Sequence, residues 1–332
     1  MKILLCDYKV DLDRNYDYEI QLLKRAIPDV EVLTYEYADE RKSEFLKVIA
    51  DVDSVINTYV PFTRDVFAVC RKLKCICLNS MGYNTVDIQA ATEKGVMVCA
   101  IEEYCTDEVA EHALALILAL ERGIKPFSLS IDNRIWDYKS AGKLHRVAGQ
   151  VISIFGFGKI GKAVAKRCQA LGMKVQVVSA SLSDDDAGRY GVAKVEYETA
   201  LRTSDVISNH LAMNEKNADY FDYAKFALAS EKTPIFINTG RGGTVKMDDL
   251  VRAIDEGLLS GAGIDVLATE DVDFDDMPLL GRSNVLITPH AAFYSEESAL
   301  LLQQLVCKNT VCCLQGNYGD VKKIVNKKEL GL

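Results

Sequence analysis

The chain has 332 residues, of which 49% are hydrophobic and 26% are charged. A folded chain of this length divides into about two domains and buries roughly three-quarters of its extended surface. This composition excludes a disordered or collagenous protein. The formal net charge of −9 disfavours non-specific partners such as nucleic acid or anionic lipid. The longest apolar run, 113–120, is far too short for a membrane span.

The ten cysteines mostly lie inside apolar runs, and no two of them have the Cys-x-x-Cys spacing of a zinc knuckle. The first segment, 1–7, reaches an aspartate before a signal-peptide core could form. We therefore expect a cytoplasmic protein with buried, reduced thiols and no metal site. Redox activity of one of these thiols is left open.

Short β-branched runs alternate with helical stretches over the first hundred residues, which predicts a parallel sheet with right-handed crossovers. The predicted strands are Lys2–Tyr8, Val30–Glu36, Ser54–Val60, Cys75–Ser80 and Val96–Ala100. The predicted helices are Asn15–Ala26, Glu40–Ala50, Arg64–Leu73 and Val86–Lys94.

A long helix at Glu103–Arg122 is apolar on most faces, so it must be buried in the core or against another subunit. A second alternating series follows, and the chain returns to a helix at Ser295–Leu314. The strands of this second series are Val151–Phe155, Lys174–Val178, Asp205–Asn209, Ile235–Asn238, Ala262–Val266 and Val285–Thr288.

A glycine loop joins the first strand of the second series to a helix, as Gly156-Phe-Gly158-Lys-Ile-Gly161. Gly156 would permit the tight turn, Gly158 would let the backbone approach a pyrophosphate, and Gly161 would let the helix pack on the strand. This G-x-G-x-x-G in a strand–turn–helix context predicts dinucleotide binding.

The acidic residue that usually binds the adenosine ribose about twenty residues later is replaced by Ser179. A serine does not repel a 2′-phosphate, yet no arginine follows at once to bind one. We expect NAD as the cofactor and leave NADP open. His210 ends a later strand, and we expect it to shape the cofactor pocket.

Three reactive side chains follow strands of the second series: Arg241, Glu270 and His290. Together they suit hydride transfer to a 2-keto acid. Histidine titrates in the range needed to protonate the carbonyl oxygen, and a nearby carboxylate favours its protonated form. Arginine can bind the substrate carboxylate through two parallel hydrogen bonds and stabilise oxyanion charge. Singly, each also suits a structural role: a surface ion pair, a solvated acid or a turn histidine.

The order of motifs resembles the D-isomer-specific 2-hydroxyacid dehydrogenase family along essentially the whole chain. The matching segments are Met81–Asp87, Tyr104–His112, Gly156–Gly161, Asn238–Gly243, Gly263–Val266 with Glu270, and Thr288–Ala292. Within the family, Pro289–Glu296 and the tail Val325–Glu329 look most like the C-terminal-binding-protein branch and its bacterial relatives.

The resemblance implies an α/β fold in which a Rossmann dinucleotide-binding domain, 101–295, is inserted in a discontinuous, flavodoxin-like substrate-binding domain, 1–100 and 296–332. It implies an active site in the cleft, a catalytic trio of Arg241, Glu270 and His290, and a homodimer formed through the helix around 103–122. The expected cofactor contacts are Gly156, Gly158, Lys159, Ile160, Gly161, Ser179, His210, Asn214, Thr239 and Asp265, the last with the nicotinamide carboxamide. The expected substrate contacts are Met81, Gly82, Arg241 and Phe293.

The sequence thus predicts a cytoplasmic, homodimeric dehydrogenase that transfers hydride between NAD(P)H and a small 2-keto acid or D-2-hydroxy acid. Two alternatives remain at this point. One is a non-catalytic NAD(H)-sensing scaffold or corepressor-like binding protein. The other is a dehydrogenase of a phosphorylated hydroxy acid such as 3-phosphoglycerate, which would need a basic patch that the 81–87 segment itself does not offer.

Overall fold

The computed structural model describes residues 1–9, 14–269 and 272–332. These residues form two compact units, the first built from Met1–Tyr104 with Ser295–Leu332 and the second from Cys105–Tyr294. Among the described residues, no helix has both the length and the apolar character needed to cross a membrane.

The first unit contains a five-stranded sheet in the order β2-β1-β3-β4-β5, and all of its neighbouring strands are parallel. This is the flavodoxin-like order. The strands are β1 (Lys2–Tyr8), β2 (Glu31–Tyr37), β3 (Ser54–Asn57), β4 (Cys75–Leu78) and β5 (Met97–Cys99). The helices are α1 (Tyr16–Ala26), α2 (Lys42–Ile49), α3 (Arg64–Val69), α4 (Ile88–Glu93) and, from the end of the chain, α12 (Glu296–Gln315).

Local caps explain where several of these helices begin. The side chain of Asn15 accepts a hydrogen bond from the Tyr18 N–H at the start of α1, and Asp87 accepts one from Ala90 at the start of α4. Ser295 and Ser298 form a reciprocal capping box at the start of α12. Each cap satisfies backbone N–H groups that have no partner inside the helix.

The second unit contains a seven-stranded parallel sheet in the order β12-β11-β10-β9-β6-β7-β8, which is a Rossmann sheet with an added strand. Its strands are β6 (Val151–Phe155), β7 (Lys174–Val178), β8 (Ala193–Lys194), β9 (Val206–Asn209), β10 (Ile235–Asn238), β11 (Gly261–Ile264) and β12 (Val285–Ile287). Its helices are α5 (Thr106–Glu121), α6 (Ile124–Asp132), α7 (Lys159–Ala170), α8 (Asp184–Tyr190), α9 (Tyr197–Thr203), α10 (Tyr223–Leu228) and α11 (Met247–Asp255).

The apolar helix α5 packs inside this second unit. Its buried side chains include Ala113, Leu116 and Ile117. A Cβ on Gly263 of β11 would lie 3.0 Å from the Cβ of Leu116, so the glycine lets helix and sheet approach closely. The sequence predicted that this helix is buried either in the core or against another subunit. Its central residues lie in the core of the second unit.

The predicted fold class is confirmed, and the differences lie at element ends. The helix predicted over Arg64–Leu73 stops at Val69 because Cys70 has an extended backbone (φ −70°, ψ 122°). The strand predicted over Ser54–Val60 ends at Asn57. The alternating series implied helices between the later strands without giving bounds for α8 to α11, and helix α6 and the short strand β8 were not predicted.

Candidate active site

The predicted site residues of the second unit come together because its strands are parallel, so their carboxyl ends share one edge of the sheet. Gly156 follows β6, Ser179 follows β7 and His210 follows β9. Thr239 and Arg241 follow β10, Asp265 follows β11 and His290 lies just beyond β12.

The glycine loop has the geometry that each of its three glycines was predicted to supply. Gly156 has φ +93°, and a Cβ there would lie 2.7 Å from the carbonyl oxygen of His210. A Cβ on Gly161 would collide with the carbonyl oxygen of Gly156, so α7 packs directly on the turn. A Cβ on Gly158 would meet nothing within 4 Å. Open space at the N-terminus of a twelve-residue helix is what a bound pyrophosphate requires.

Ser179 and His210 lie beside this loop. The Gly156 N–H donates to the carbonyl of Val178, the residue before Ser179. The imidazole Nε2 of His210 lies 2.9 Å from the Ser208 hydroxyl, and its Nδ1 lies 3.4 Å from the Thr239 hydroxyl. Loss of hydration lowers the pKa of His210 to about 4. His210 is therefore neutral at physiological pH, which suits a packing role.

Two buried asparagines, Asn209 and Asn238, fix the loop that carries Arg241, and sequence reasoning missed them as site residues. The amide of Asn209 donates to the side-chain oxygen of Asn238 at 3.0 Å and to the Thr244 hydroxyl at 2.7 Å. The amide of Asn238 and the Thr244 hydroxyl both donate to the carbonyl of Arg241. Two hydrogen bonds to its carbonyl thus fix the backbone of Arg241. Its side chain is exposed and donates a hydrogen bond to the carbonyl of Gly240.

Asp265 organises the turn that carries His290. Its buried carboxylate accepts hydrogen bonds from the Thr288 hydroxyl at 2.6 Å and from the N–H groups of Ala291 and Ala292 at 2.9 and 3.1 Å. Its carbonyl accepts a hydrogen bond from the His290 N–H at 2.8 Å. His290 has φ +51°, a left-handed conformation that costs energy for a non-glycine residue. The Asp265 contacts hold it there.

His112 extends this network from α5. Its Nε2 lies 2.9 Å from the Thr288 hydroxyl and 3.6 Å from the Asp265 carboxylate. Thr288 gives its only hydroxyl proton to the carboxylate, so His112 must be the donor to Thr288. The sequence analysis placed His112 at the end of the matching segment Tyr104–His112 without giving it a role, and nothing in the motif Thr288–Ala292 indicated that the two would meet.

In the first unit, Met81 and Gly82 form a loop after β4. The Ser80 hydroxyl donates to the Gly82 carbonyl at 2.8 Å. The ammonium of Lys323, from the C-terminal segment, donates to the Met81 carbonyl at 3.0 Å and lies 5.0 Å from the centre of the Tyr83 ring. The loop therefore has a cation beside it that its own sequence lacks.

The remaining predicted residues are Lys159, Ile160, Asn214, Glu270 and Phe293. Lys159 and Ile160 begin α7, and Phe293 lies with its ring centre 6.0 Å from that of His290. The Asn214 side chain accepts hydrogen bonds from Lys216 and Asn217 and so closes its own turn. Glu270 lies outside the described residues, and its predicted catalytic role stays a prediction.

A cavity of about 840 Å³ in the second unit lies away from this edge. Its lining includes Gln150, Asp205, Ser260 and Asn284, which precede β6, β9, β11 and β12. It therefore opens at the amino ends of the strands, opposite the edge where open parallel sheets bind ligands.

Comparison with known proteins identifies the family. The model of the D-isomer-specific 2-hydroxyacid dehydrogenase NAD-binding domain matches residues 114–292. The chain belongs to the D-isomer-specific 2-hydroxyacid dehydrogenase family. It is 32% identical over 296 residues to a hydroxypyruvate reductase of Blautia hydrogenotrophica, covering 86% of this chain and 88% of that protein.

Two further relatives extend the comparison. A D-3-phosphoglycerate dehydrogenase of Archaeoglobus fulgidus is 31% identical over 297 residues, covering 90% of this chain and 55% of that protein. A solved structure from Thermus thermophilus superposes with a TM-score of 0.84 at 25% identity, covering 98% of this chain and all of that one. The predictions of the family, of an oxidoreductase and of an NAD-binding Rossmann fold are confirmed.

Proposed function

We propose that this family member reduces a small 2-keto acid to the D-2-hydroxy acid, and that His290 exchanges the substrate proton. The observation that carries the proposal is the fixed turn in which Asp265 holds His290 in a left-handed conformation at the edge of the sheet. Bound NAD(H) supplies or accepts the hydride. His290 gives a proton to the carbonyl oxygen in reduction and removes it from the hydroxyl in oxidation.

Arg241 and Glu270 complete the proposed chemistry. The exposed guanidinium of Arg241, on a loop fixed by Asn238 and Thr244, binds the substrate carboxylate and stabilises oxyanion charge. Glu270 favours protonated His290. Met81 and Gly82 contribute to carboxylate binding, and Phe293 bounds the substrate side chain. The first unit thus acts as the substrate-binding domain and the second as the NAD(P)-binding domain.

The proposal is tested with a panel of 2-keto acids, including glyoxylate, hydroxypyruvate and pyruvate, each assayed with NADH and NADPH. His290→Asn should lower kcat/KM by about 10² to 10⁴ because a general acid contributes that much. His145→Asn is the matched control, since His145 is exposed and is not among the site contacts described above. Near-normal turnover by His290→Asn would refute the assignment. NADH binding without turnover of any panel member would favour a non-catalytic NAD(H)-sensing protein.

A second candidate function is oxidation of a phosphorylated hydroxy acid such as 3-phosphoglycerate. The observation that favours it is Lys323 beside the Met81 loop, which supplies a basic group absent from the loop's own sequence. A higher kcat/KM for 3-phosphohydroxypyruvate than for hydroxypyruvate would support this substrate. Lys323→Met should then raise KM for the phosphorylated acid alone. Equal KM changes for both acids would exclude recognition of the phosphate by Lys323.

We also propose a homodimer, as the resemblance implied for the helix around 103–122. The central apolar residues of α5 are used within the second unit, so the surface we propose for the partner copy continues onto α6 and the turn after it. Exposed there are Ile124, Leu129, Ile131, Ile135, Trp136 and Tyr138, which we call the arm surface. Trp136 is 93% exposed. A large exposed apolar surface of this kind is typical of an interface, and we propose that a second copy covers it.

Sedimentation tests the dimer. The wild-type chain should sediment as a dimer at micromolar concentration, and Trp136→Asp should shift it towards monomer. Trp136 is 93% exposed, so the variant should keep the circular-dichroism spectrum of the folded wild type, which separates loss of the dimer from misfolding. A monomeric wild type would refute the proposal.

The ten free cysteines support a reducing, cytoplasmic location for the enzyme.

A further inference from the structure

Four cysteines from three separate elements meet inside the first unit. Cys75 and Cys77 alternate along β4, so both side chains lie on the same face of the sheet. Cys99 is the register partner of Cys77 on β5. Cys313 comes from α12, which packs against that face. We call these four residues the thiol cluster.

Three sulfur atoms of the thiol cluster lie close enough together to share one cation, and the fourth lies beside one of them. Those of Cys75, Cys77 and Cys313 all lie within 4.8 Å of one another. The sulfur of Cys99 lies 3.4 Å from that of Cys313. A cation bound by thiolates lies about 2.3 Å from each sulfur, which separates the sulfurs of a tetrahedral site by roughly 3.8 Å. Side-chain adjustments of about 1 Å would therefore bring the sulfurs of Cys75, Cys77 and Cys313 to the spacing of metal ligands, with Cys99 beside Cys313 as the fourth ligand.

The surroundings select the kind of cation. All four residues are buried, and the neighbours in the same core are apolar, among them Ile56 and Val306. The Ser54 hydroxyl is a polar neighbour, 3.1 Å from the Cys75 sulfur. An all-sulfur ligand set disfavours hard cations such as Mg²⁺ and Ca²⁺ and favours zinc or copper(I).

We propose that Cys75, Cys77, Cys99 and Cys313 form a structural site for a thiophilic d¹⁰ cation, either Zn²⁺ or Cu⁺. Three thiolates suffice for copper(I), and the fourth completes a tetrahedral zinc site. Each thiol that becomes a ligand releases its proton to solvent, and no sulfur is oxidised. The sequence missed this site because the ligands are spread over 239 positions, from Cys75 to Cys313, outside any known ligand spacing.

The test uses the full chain, unfolded with reductant in the absence of oxygen and refolded with Zn²⁺, with chelated Cu⁺ or with no metal. Refolding is needed because the buried cluster gives a free ion no direct access. Metal content is measured after desalting. The wild type should retain about one ion per chain and melt at a higher temperature with metal than without it. Retention of Zn²⁺ alone or of Cu⁺ alone would identify the ion.

Matched variants locate the binding. Cys77→Ala and Cys313→Ala should lose the retained metal and the thermal shift, whereas Cys168→Ala, at a buried cysteine of the second unit, should keep both. If the cluster variants fail to fold, refolding the wild type with Co²⁺ decides instead. An intense sulfur-to-cobalt charge-transfer absorption supports the site, and its absence together with no retained Cu⁺ overturns it. Equal metal retention in the cluster variants, no retention by the wild type, or a native disulfide in place of bound metal would each overturn the proposal.

Discussion

Replacement of Thr288 by valine tests the network that fixes His290. Valine keeps the shape of threonine and removes the hydroxyl, so the Asp265 carboxylate loses its shortest hydrogen bond, at 2.6 Å. His112 loses its acceptor in the same step. The two N–H groups of Ala291 and Ala292 remain on the carboxylate. The turn should therefore persist but be held less firmly.

The expected loss in the free energy of unfolding follows from the kind of hydrogen bond that Thr288→Val removes. A hydrogen bond to a charged group contributes about 1.5–3 kcal/mol to the free energy of unfolding. In a unit of this size each kcal/mol shifts the melting temperature by about 2–4 °C, so Thr288→Val should lower it by about 3–12 °C. Because His290 needs the turn to keep its left-handed conformation, kcat should fall about tenfold or more, as misplaced catalytic groups do.

The assays are thermal unfolding of the chain without cofactor and steady-state turnover of the best keto acid. Thr288→Ser is the matched control, because it keeps the hydroxyl and loses only a methyl group. It should retain the hydrogen bond to Asp265 and most of the activity. Equal melting temperatures for wild type and Thr288→Val would refute the energetic argument. A loss of stability without any loss of kcat would refute the link from Thr288 to His290.

Four further predictions concern the cofactor site and the core. Gly158→Ala should keep the melting temperature, since its Cβ meets open space, and weaken NADH binding measured by fluorescence titration. Ser179→Asp should lower the ratio of NADPH to NADH turnover, because a carboxylate repels the 2′-phosphate; an unchanged ratio would show that residue 179 does not contact the ribose. His210 has a pKa of about 4 in the folded chain and about 6.5 in the unfolded chain. The free energy of unfolding should therefore fall by up to about 3 kcal/mol as the pH drops from 6.5 to 4. Urea unfolding measures this, and the pH dependence should be absent from His210→Asn. Arg14→Met leaves the carboxylates of Asp7 and Glu19 buried without their cation and should cost about 3–5 kcal/mol in urea unfolding, and a cost below 1 kcal/mol would contradict this.

Local sequence patterns carried most of the fold, for reasons visible in particular elements. β6 and β7 were predicted to the residue because each is a short segment rich in β-branched residues that ends at a turn residue. Helix α6 was not predicted, and Gly123 before it and Pro126 within its first turn are residues that more often mark loops than helices. In the structure Gly123 has φ +59° and makes the turn between α5 and α6, while Pro126 falls in the first turn, where its missing N–H has no intrahelical partner.

The candidate site was predictable where it depends on groups that follow strands, and not where it depends on groups that meet across the sheet. Arg241 and His290 could be selected from the sequence because each is a reactive residue type that follows an apolar strand. The asparagine pair 209 and 238 and the pair His112 and Thr288 join segments far apart in sequence. Nothing in either segment alone specifies the partner, so only the strand order brings them together.

The same dependence on strand order explains why the sequence analysis expected no metal site among the cysteines, whereas the structure led us to propose one. A metal motif is recognised in sequence when its ligands lie close together, because a short loop then fixes their geometry. In the thiol cluster the geometry is fixed instead by two paired strands and a twenty-residue helix, so the spacing carries no signal. The supports of the His290 turn have the same character, since Asp265 and His112 lie on different elements. In this fold the groups that we propose to contact substrate follow strands and could be predicted from sequence, whereas the groups that hold them in place come from elsewhere in the chain.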